Sequence, residues 1–136
     1  MDWGLGVIGM IALLVIVAAG LWLAFVALLC AIAPDRALHY LSLMASTWRI
    51  NLLELGTRCL VGAAMVARGP DSSVPELFQI VGWFLVITAA AILAVPRERH
   101  AAFARWSAQN IPRATVRWLV APVSLAASVA LAWAAR

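Results

Sequence analysis

One stretch of the chain constrains the fold more than any other feature. Residues 5–33 are apolar throughout and contain no charged side chain. A bilayer core of about 30 Å is crossed by roughly 20 residues of α-helix, so this stretch can span a membrane with some tilt. A helix of that length that is apolar on every side has no polar face that could be exposed to water. We therefore expect the chain to fold in lipid.

The composition supports the same conclusion for the whole chain. Hydrophobic residues make up 65% of the 136 residues, charged residues make up 12%, and the mean hydropathy is +0.99. Soluble domains carry roughly a quarter charged residues, so this chain has too few of them to cover a water-facing surface. The length suits one domain. We predict a single membrane domain over residues 1–136.

Three further stretches have the length and apolar character of spans, and they are residues 51–67, 77–95 and 116–135. The second of them contains no charge, whereas the first is interrupted by Glu54 and Arg58. The third carries Pro122, which cannot donate a helical hydrogen bond, and we expect a kink or a local adjustment there. The sequence therefore predicts an all-α membrane protein with four transmembrane helices.

The connections between the spans are of two kinds. Residues 35–49 and 97–113 combine Arg and His with apolar side chains at helical spacing. This pattern is typical of amphipathic helices that lie along a membrane surface. The alternative is that each stretch extends a neighbouring span into the cytoplasm. The third connection, residues 68–76, is rich in Gly, Pro and Ser and reads as a short turn.

The arginines predict how the spans are oriented. All ten basic residues are Arg, and eight fall in or beside the two long connections: Arg36, Arg49, Arg58, Arg97, Arg99, Arg105, Arg113 and Arg117. Arg68 and Arg136 fall on the other side. The positive-inside rule then places both long connections in the cytoplasm of a bacterial inner-membrane protein. Both termini are expected to be periplasmic.

The two halves of the chain follow one plan and suggest an internal repeat, residues 5–67 and 77–135. Each half contains a span, a Pro, an Arg-bearing stretch with Trp, an Asn, and an Arg that opens the next span. The markers are Pro34, Arg36, Trp48, Asn51 and Arg58 in the first half, and Pro96, Arg99, Trp106, Asn110 and Arg117 in the second. Because each half has two spans, both would enter the membrane in the same direction, as a parallel repeat. We expect two tandem helical hairpins, with chance similarity between hydrophobic hairpins as the alternative.

The same markers carry a family resemblance. A span, a Pro, a basic amphipathic stretch and an Arg that opens the next span resemble the YjeT-like family of small two-helix bacterial inner-membrane proteins of unknown function. Residues 77–135 are the closer match, and the first half looks like a degenerate copy. A Gly often follows that Arg in the family; Gly62 follows Arg58, whereas Ala121 stands after Arg117. The resemblance implies the inner membrane and a hairpin fold, and it supplies no catalytic residue.

A polar stripe is the most informative group of side chains within the spans. Thr47, Asn51, Glu54 and Arg58 are spaced to fall on one face of a helix. An ionisable group that faces lipid is costly, so this stripe is expected to face protein or water. The order of Glu54 and Arg58 also suits a local ion pair.

Three interpretations of the stripe remain open. It forms a clamp between helices, in which Glu54 pairs locally with Arg58 or across the bundle with Arg113 or Arg117. Alternatively it forms an ion or proton site of a transporter. In the third interpretation Arg58, Arg113 and Arg117 dock an anionic lipid headgroup.

Signatures of other functional classes are missing from the sequence. The arginines flank apolar segments instead of forming a continuous polar face, which argues against nucleic-acid binding. There is no glycine-rich phosphate loop, GxSxG, HExxH or recognisable carboxylate pair. His39 and His100 read as interfacial residues, and Cys30 and Cys59 as small core residues. We predict a non-enzyme with no cofactor and no metal site.

These observations favour a protein that acts by contact. We predict a non-catalytic accessory, assembly or stabilising subunit of a larger membrane complex. Its partners are expected to be the lipid bilayer, with anionic headgroups among the candidates, and either other membrane-protein subunits or a second copy. The alternatives are a small transporter or channel that uses the polar stripe and an anionic-lipid-binding protein.

Overall fold

The computed structural model describes the backbone of residues 3–135 and the side chains of residues 6–135. Within this range every regular element is helical. There are six helices: α1 (Trp3–Ile32), α2 (Pro34–Ser42), α3 (Trp48–Arg68), α4 (Pro75–Ala94), α5 (Arg97–Asn110) and α6 (Arg113–Ala134). A single 3-10 turn, Gly69–Asp71, follows α3.

Four of these helices, α1, α3, α4 and α6, are long and apolar enough to cross a membrane. The prediction of an all-α protein with four candidate spans is therefore confirmed. The second span begins earlier than residue 51, because the Thr47 side chain accepts a hydrogen bond from the backbone N–H of Ile50 and starts α3 at Trp48.

The expected adjustment near Pro122 takes the form of a wide turn. Residues Val116–Val120 of α6 are π-helical, and the α-helix resumes at Ala121 with Pro122 in its first turn. Proline has no N–H to offer the carbonyl one turn earlier, and its ring crowds that carbonyl. A π turn just before Pro122 relieves both problems while the helix continues.

The spans are arranged as a row in the order α4, α3, α1, α6. The largest helix contacts are between α3 and α4 and between α1 and α6, and α1 also packs on α3. Each span of the second half therefore packs mainly on a span of the first half. Within the first half α1 packs on α3, as in a helical hairpin, whereas α4 and α6 of the second half are not main neighbours. The outer helices approach each other at one end, where the Ser73 N–H donates to the carbonyl of Ala134 at 3.0 Å.

Small residues allow the two largest contacts. A Cβ added at Gly62 would lie 2.6 Å from the carbonyl oxygen of Gly82, so α3 and α4 meet backbone to backbone. On the other side of the row, the Ser128 hydroxyl of α6 donates to the carbonyl of Gly20 on α1 at 2.8 Å. Outside these contacts most large apolar side chains are exposed, as expected for lipid-facing helices.

The two long connections lie at the same end of the row. Helices α2 and α5 pack on each other, and Arg97 of α5 donates to the carbonyls of Ala45 and Ser46 at 3.1 and 2.8 Å. At the opposite end Arg68 donates to the carbonyl of Ala135 at 3.5 Å. The eight arginines assigned to the long connections therefore gather at one end, whereas Arg136 lies outside the described residues.

Candidate functional site

A polar cluster joins the start of α3 to α5. Asn51 is only 3% exposed and is the one buried polar residue among those whose side chains are described. Its Oδ1 lies 2.9 Å from Nδ1 of His100. Since an amide oxygen only accepts hydrogen bonds, Nδ1 of His100 carries the hydrogen in this arrangement. The other ring nitrogen, Nε2, lies 3.7 Å from Oε1 of Glu54.

Glu54 lies at the centre of this cluster. Its Oε1 is also 3.7 Å from Nη2 of Arg58, so the predicted local pair is present. The second oxygen, Oε2, is buried and has no hydrogen-bond partner among the described residues. A half-satisfied carboxylate away from water is costly unless nearby positive charge compensates it. The cluster therefore joins α3 to α5 through the contact of Asn51 with His100, whereas Arg58 pairs with Glu54 within α3.

Thr47 has a different role from the other members of the predicted stripe. Its side chain is exposed and caps the N-terminus of α3 by accepting the N–H of Ile50 at 3.2 Å. The stripe thus divides into a cap and a three-residue group, Asn51, Glu54 and Arg58, of which Asn51 and Glu54 contact His100 of α5. The helical spacing alone did not distinguish these roles, because Thr47 lies just before the first helical turn.

The predicted pairing of Glu54 with Arg113 or Arg117 is wrong, because α6 packs on α1 and not on α3. Arg113 instead forms an ion pair with Asp35 through its Nε. The Nε of Arg117 donates to the carbonyl of Ala31 at 3.1 Å. Both arginines do contact the first half of the chain, but they reach the end of α1 and the start of α2.

These contacts border a cleft of about 520 Å³ between the end of α1, the start of α2 and the start of α6. Arg36, Arg113 and Arg117 line it together with Asp35 and the ring of Trp118. Arg58 is not part of its lining, so the three arginines predicted to dock a headgroup are not brought together. Arg36, and not Arg58, lines the cleft together with Arg113 and Arg117.

His100 is the residue of the polar cluster that sequence reasoning missed. It was classed with His39 as an interfacial histidine, although it is partly buried against Asn51 and Glu54. The sequence of α5 offers one indication of its packed side, the small residues Ala101 and Ala104. Both are buried in the structure. His100 precedes Ala104 by one helical turn and so lies on that side.

The remaining side chains that could bind a metal ion are dispersed. Among residues 6–135 no group of three or more His, Cys, Asp or Glu side chains is close enough to hold a metal ion. Cys30 is buried, as expected for a small core residue, whereas Cys59 is exposed on α3, contrary to that expectation.

Comparisons with known proteins assign neither a family nor a function to the chain. No protein-family model, no curated protein and no solved structure matches the chain, so the resemblance to the YjeT-like family stays a prediction and the site is defined by its geometry alone.

Proposed function

We propose that this chain is a non-catalytic integral membrane protein that acts as an accessory, assembly or stabilising subunit of a larger complex. The observation that carries the proposal is the outer side of α6. This helix turns Ser128 toward α1, whereas Ala126 and Ala130 are exposed on the opposite side. Small residues four positions apart let another helix approach closely in a bilayer.

The position of α6 in the row supports the same proposal. It is an end helix with α1 as its main span neighbour, and of the four spans it buries the smallest share of its residues. We propose that a transmembrane helix of a partner subunit packs on the Ala126–Ala130 side. The transporter alternative has no comparable support, because Glu54 pairs with Arg58 on its own helix and does not line the cleft.

The test replaces the two alanines with a bulkier residue. Ala126→Leu with Ala130→Leu adds volume on the proposed contact side, and Ala63→Leu with Ala67→Leu makes the same change on exposed positions of α3. Each protein is expressed at native level, extracted in gentle detergent and analysed by native mass spectrometry. We expect a stoichiometric partner with the wild-type and α3-substituted proteins, and its loss from the α6-substituted protein.

One outcome would contradict the accessory role, and a second would contradict the proposed contact on α6. A wild-type protein that is monomeric in every gentle extraction has no stable partner. A complex that survives both double substitutions alike does not use the outer side of α6. A mass of twice the chain, lost only with the α6 substitutions, would identify the partner as a second copy.

We propose a bacterial inner-membrane location with α2 and α5 along the cytoplasmic surface and both termini in the periplasm. The support is the collection of eight arginines at the end where α2 and α5 pack on each other. Reporter fusions test the orientation. Alkaline phosphatase joined after α6 is expected to be active, and green fluorescent protein joined after α2 is expected to fluoresce. The reverse pattern would overturn the orientation.

We also propose that the chain is a tandem duplication with its twofold axis along the membrane normal. Such an axis exchanges α1 with α4 and α3 with α6, and it therefore relates the α1–α6 contact to the α3–α4 contact. Gly20 and Gly82 support this relation, because they stand at the same interval before Pro34 and Pro96 and each lies in one of these contacts. The counterpart of the α1–α3 contact would lie between α4 and α6, which approach each other only at the end where Ser73 meets Ala134. The isolated second half is then expected to form a dimer, and a strictly monomeric half would count against duplication.

A further inference from the structure

The cleft at the connector end of the molecule has the charge of a phosphate site. Its lining includes the guanidinium groups of Arg36, Arg113 and Arg117 and one carboxylate, Asp35. Asp35 is already paired with Arg113. The lining therefore keeps an excess of two positive charges, which come from Arg36 and Arg117.

These two guanidinium groups retain free donors. Arg36 is exposed, and its guanidinium group makes no hydrogen bond or ion pair with any described residue. Arg117 uses its Nε for the carbonyl of Ala31, and no described residue takes its terminal nitrogens. Planar guanidinium forks bind phosphate oxygens through parallel hydrogen bonds, and such charge-assisted bonds are stronger than neutral ones.

The cleft also has an apolar side at the level where a lipid headgroup would lie. It is bordered by Ile32 at the end of α1 and by Trp118 at the start of α6, which are 70% and 77% exposed. Tryptophan is enriched at the headgroup level of membranes, where its ring contacts both acyl chains and polar groups. A bound phospholipid could place its phosphate between Arg36 and Arg117 and its chains along the exposed surface of α1 and α6.

We propose that this cleft binds the phosphate of an anionic phospholipid. The uncompensated positive charge favours a headgroup with net negative charge over a zwitterionic one, because a choline ammonium would face Arg36 and Arg117 with Asp35 already paired. The inference requires that the helices lie in a membrane, as the proposed function does, but it does not require an accessory role. Lipid binding and partner binding use different residues, so either can fail without the other.

Lipid titration followed by native mass spectrometry tests the proposal. The detergent-purified full chain is titrated with phosphatidylglycerol and, separately, with phosphatidylcholine. The test variants are Arg36→Gln and Arg36→Gln with Arg117→Gln. The control is Arg99→Gln with Arg105→Gln, which removes the same charge from exposed positions of α5 at the same end of the molecule.

The expected effects follow from about 1 kcal/mol per arginine near an anionic headgroup, which is about fivefold in affinity. Phosphatidylglycerol should bind wild type about tenfold more tightly than phosphatidylcholine does. Arg36→Gln should weaken phosphatidylglycerol binding about fivefold and the double variant about 25-fold. The control pair should stay within about twofold of wild type, because neither residue borders the cleft.

Three results would overturn the proposal: equal affinity for the two lipids, wild-type binding by the Arg36–Arg117 double variant, or an equal loss in the control pair. A competition arm separates a lipid from free phosphate. Inorganic phosphate in large excess should leave phosphatidylglycerol bound, because it lacks the acyl chains that contact α1 and α6. Complete displacement by inorganic phosphate would overturn the lipid as the ligand.

Discussion

The backbone contact between α3 and α4 leads to a sharp prediction about stability. A Cβ added at Gly82 would lie 2.7 Å from the carbonyl oxygen of Gly62, 2.8 Å from Cγ2 of Val66 and 3.0 Å from the Val66 nitrogen. Ordinary contacts of a Cβ are 3.4–4 Å. Two of these neighbours are backbone atoms and cannot rotate away. Gly82→Ala therefore requires α3 and α4 to separate by several tenths of an ångström.

The magnitude comes from two opposing terms. Overpacking a close contact costs about 1–3 kcal/mol, whereas replacing Gly with Ala within a helix gains about 1 kcal/mol. Because two of the crowded neighbours are backbone atoms, the overpacking term should lie near the upper end of its range, and the net expectation for Gly82→Ala is a destabilisation approaching about 2 kcal/mol. Gly20→Ala is the matched control, because its Cβ would meet only the carbonyl oxygen of Ser128, at 3.8 Å. With no clash, that substitution should be neutral or stabilise by up to about 1 kcal/mol.

Titration with dodecyl sulfate in mixed micelles measures both effects. Helix content and tryptophan fluorescence report unfolding, and the midpoint gives the change in free energy. We expect Gly82→Ala to unfold at lower dodecyl sulfate and Gly20→Ala at the wild-type midpoint or above it. If the two variants shift the midpoint equally, or if Gly82→Ala matches wild type, the α3–α4 contact is not as close as described.

Three other predictions use the same unfolding assay. A double-mutant cycle with Glu54→Gln and His100→Gln should give a coupling energy of about 1 kcal/mol, and a coupling of zero would mean that their 3.7 Å contact contributes nothing. Ala45→Gly should change the stability by less than about 1 kcal/mol, because relief of the left-handed backbone at φ 55° is offset by loss of a fully buried methyl group and by the greater freedom of Gly in the unfolded chain; a loss as large as that of a core truncation would refute this. Ser128→Ala should cost about 0.6 kcal/mol through loss of its bond to the Gly20 carbonyl, and a larger loss than Gly82→Ala would contradict the ranking of the two contacts.

The sequence is informative about the spans because the bilayer imposes two strong conditions on them. A segment must be apolar over the membrane thickness and must satisfy its own backbone hydrogen bonds, and both conditions are visible in hydropathy and length. The position of the spans, the gathering of both arginine-rich connections at one end and the adjustment beside Pro122 could therefore be predicted.

The order of the spans could not be predicted in the same way. Helices that are apolar on every side have no hydrophobic reason to prefer one neighbour, so short-range packing decides. The contact of Gly62 with Gly82 and the bond from Ser128 to Gly20 depend on how each helix is rotated about its axis. Hydropathy carries no information about that rotation, so the prediction of two tandem hairpins did not specify that α3 packs mainly on α4 and α1 mainly on α6.

The candidate site shows the same division between local and distant information. The pair of Glu54 and Arg58 is local to one helix, so its spacing was sufficient to predict it. The partners of Glu54 and Arg113 on other helices depend on which spans are adjacent. His100 reaches Glu54 because α5 lies against the start of α3, and Arg113 reaches Asp35 because α6 lies against α1.

The pairing of α1 with α6 has a consequence for biogenesis. Ribosomes deliver helices to the membrane in chain order, so α1 is inserted well before the helix that makes its largest contact. During that interval α3 is the span already available to hold α1, and the surface around Gly20 stays open to lipid or to an insertion chaperone. A chain interrupted before Arg113 would keep that surface uncovered. Membrane quality-control proteases could therefore distinguish an incomplete chain from a finished one by the exposed flank of its first helix.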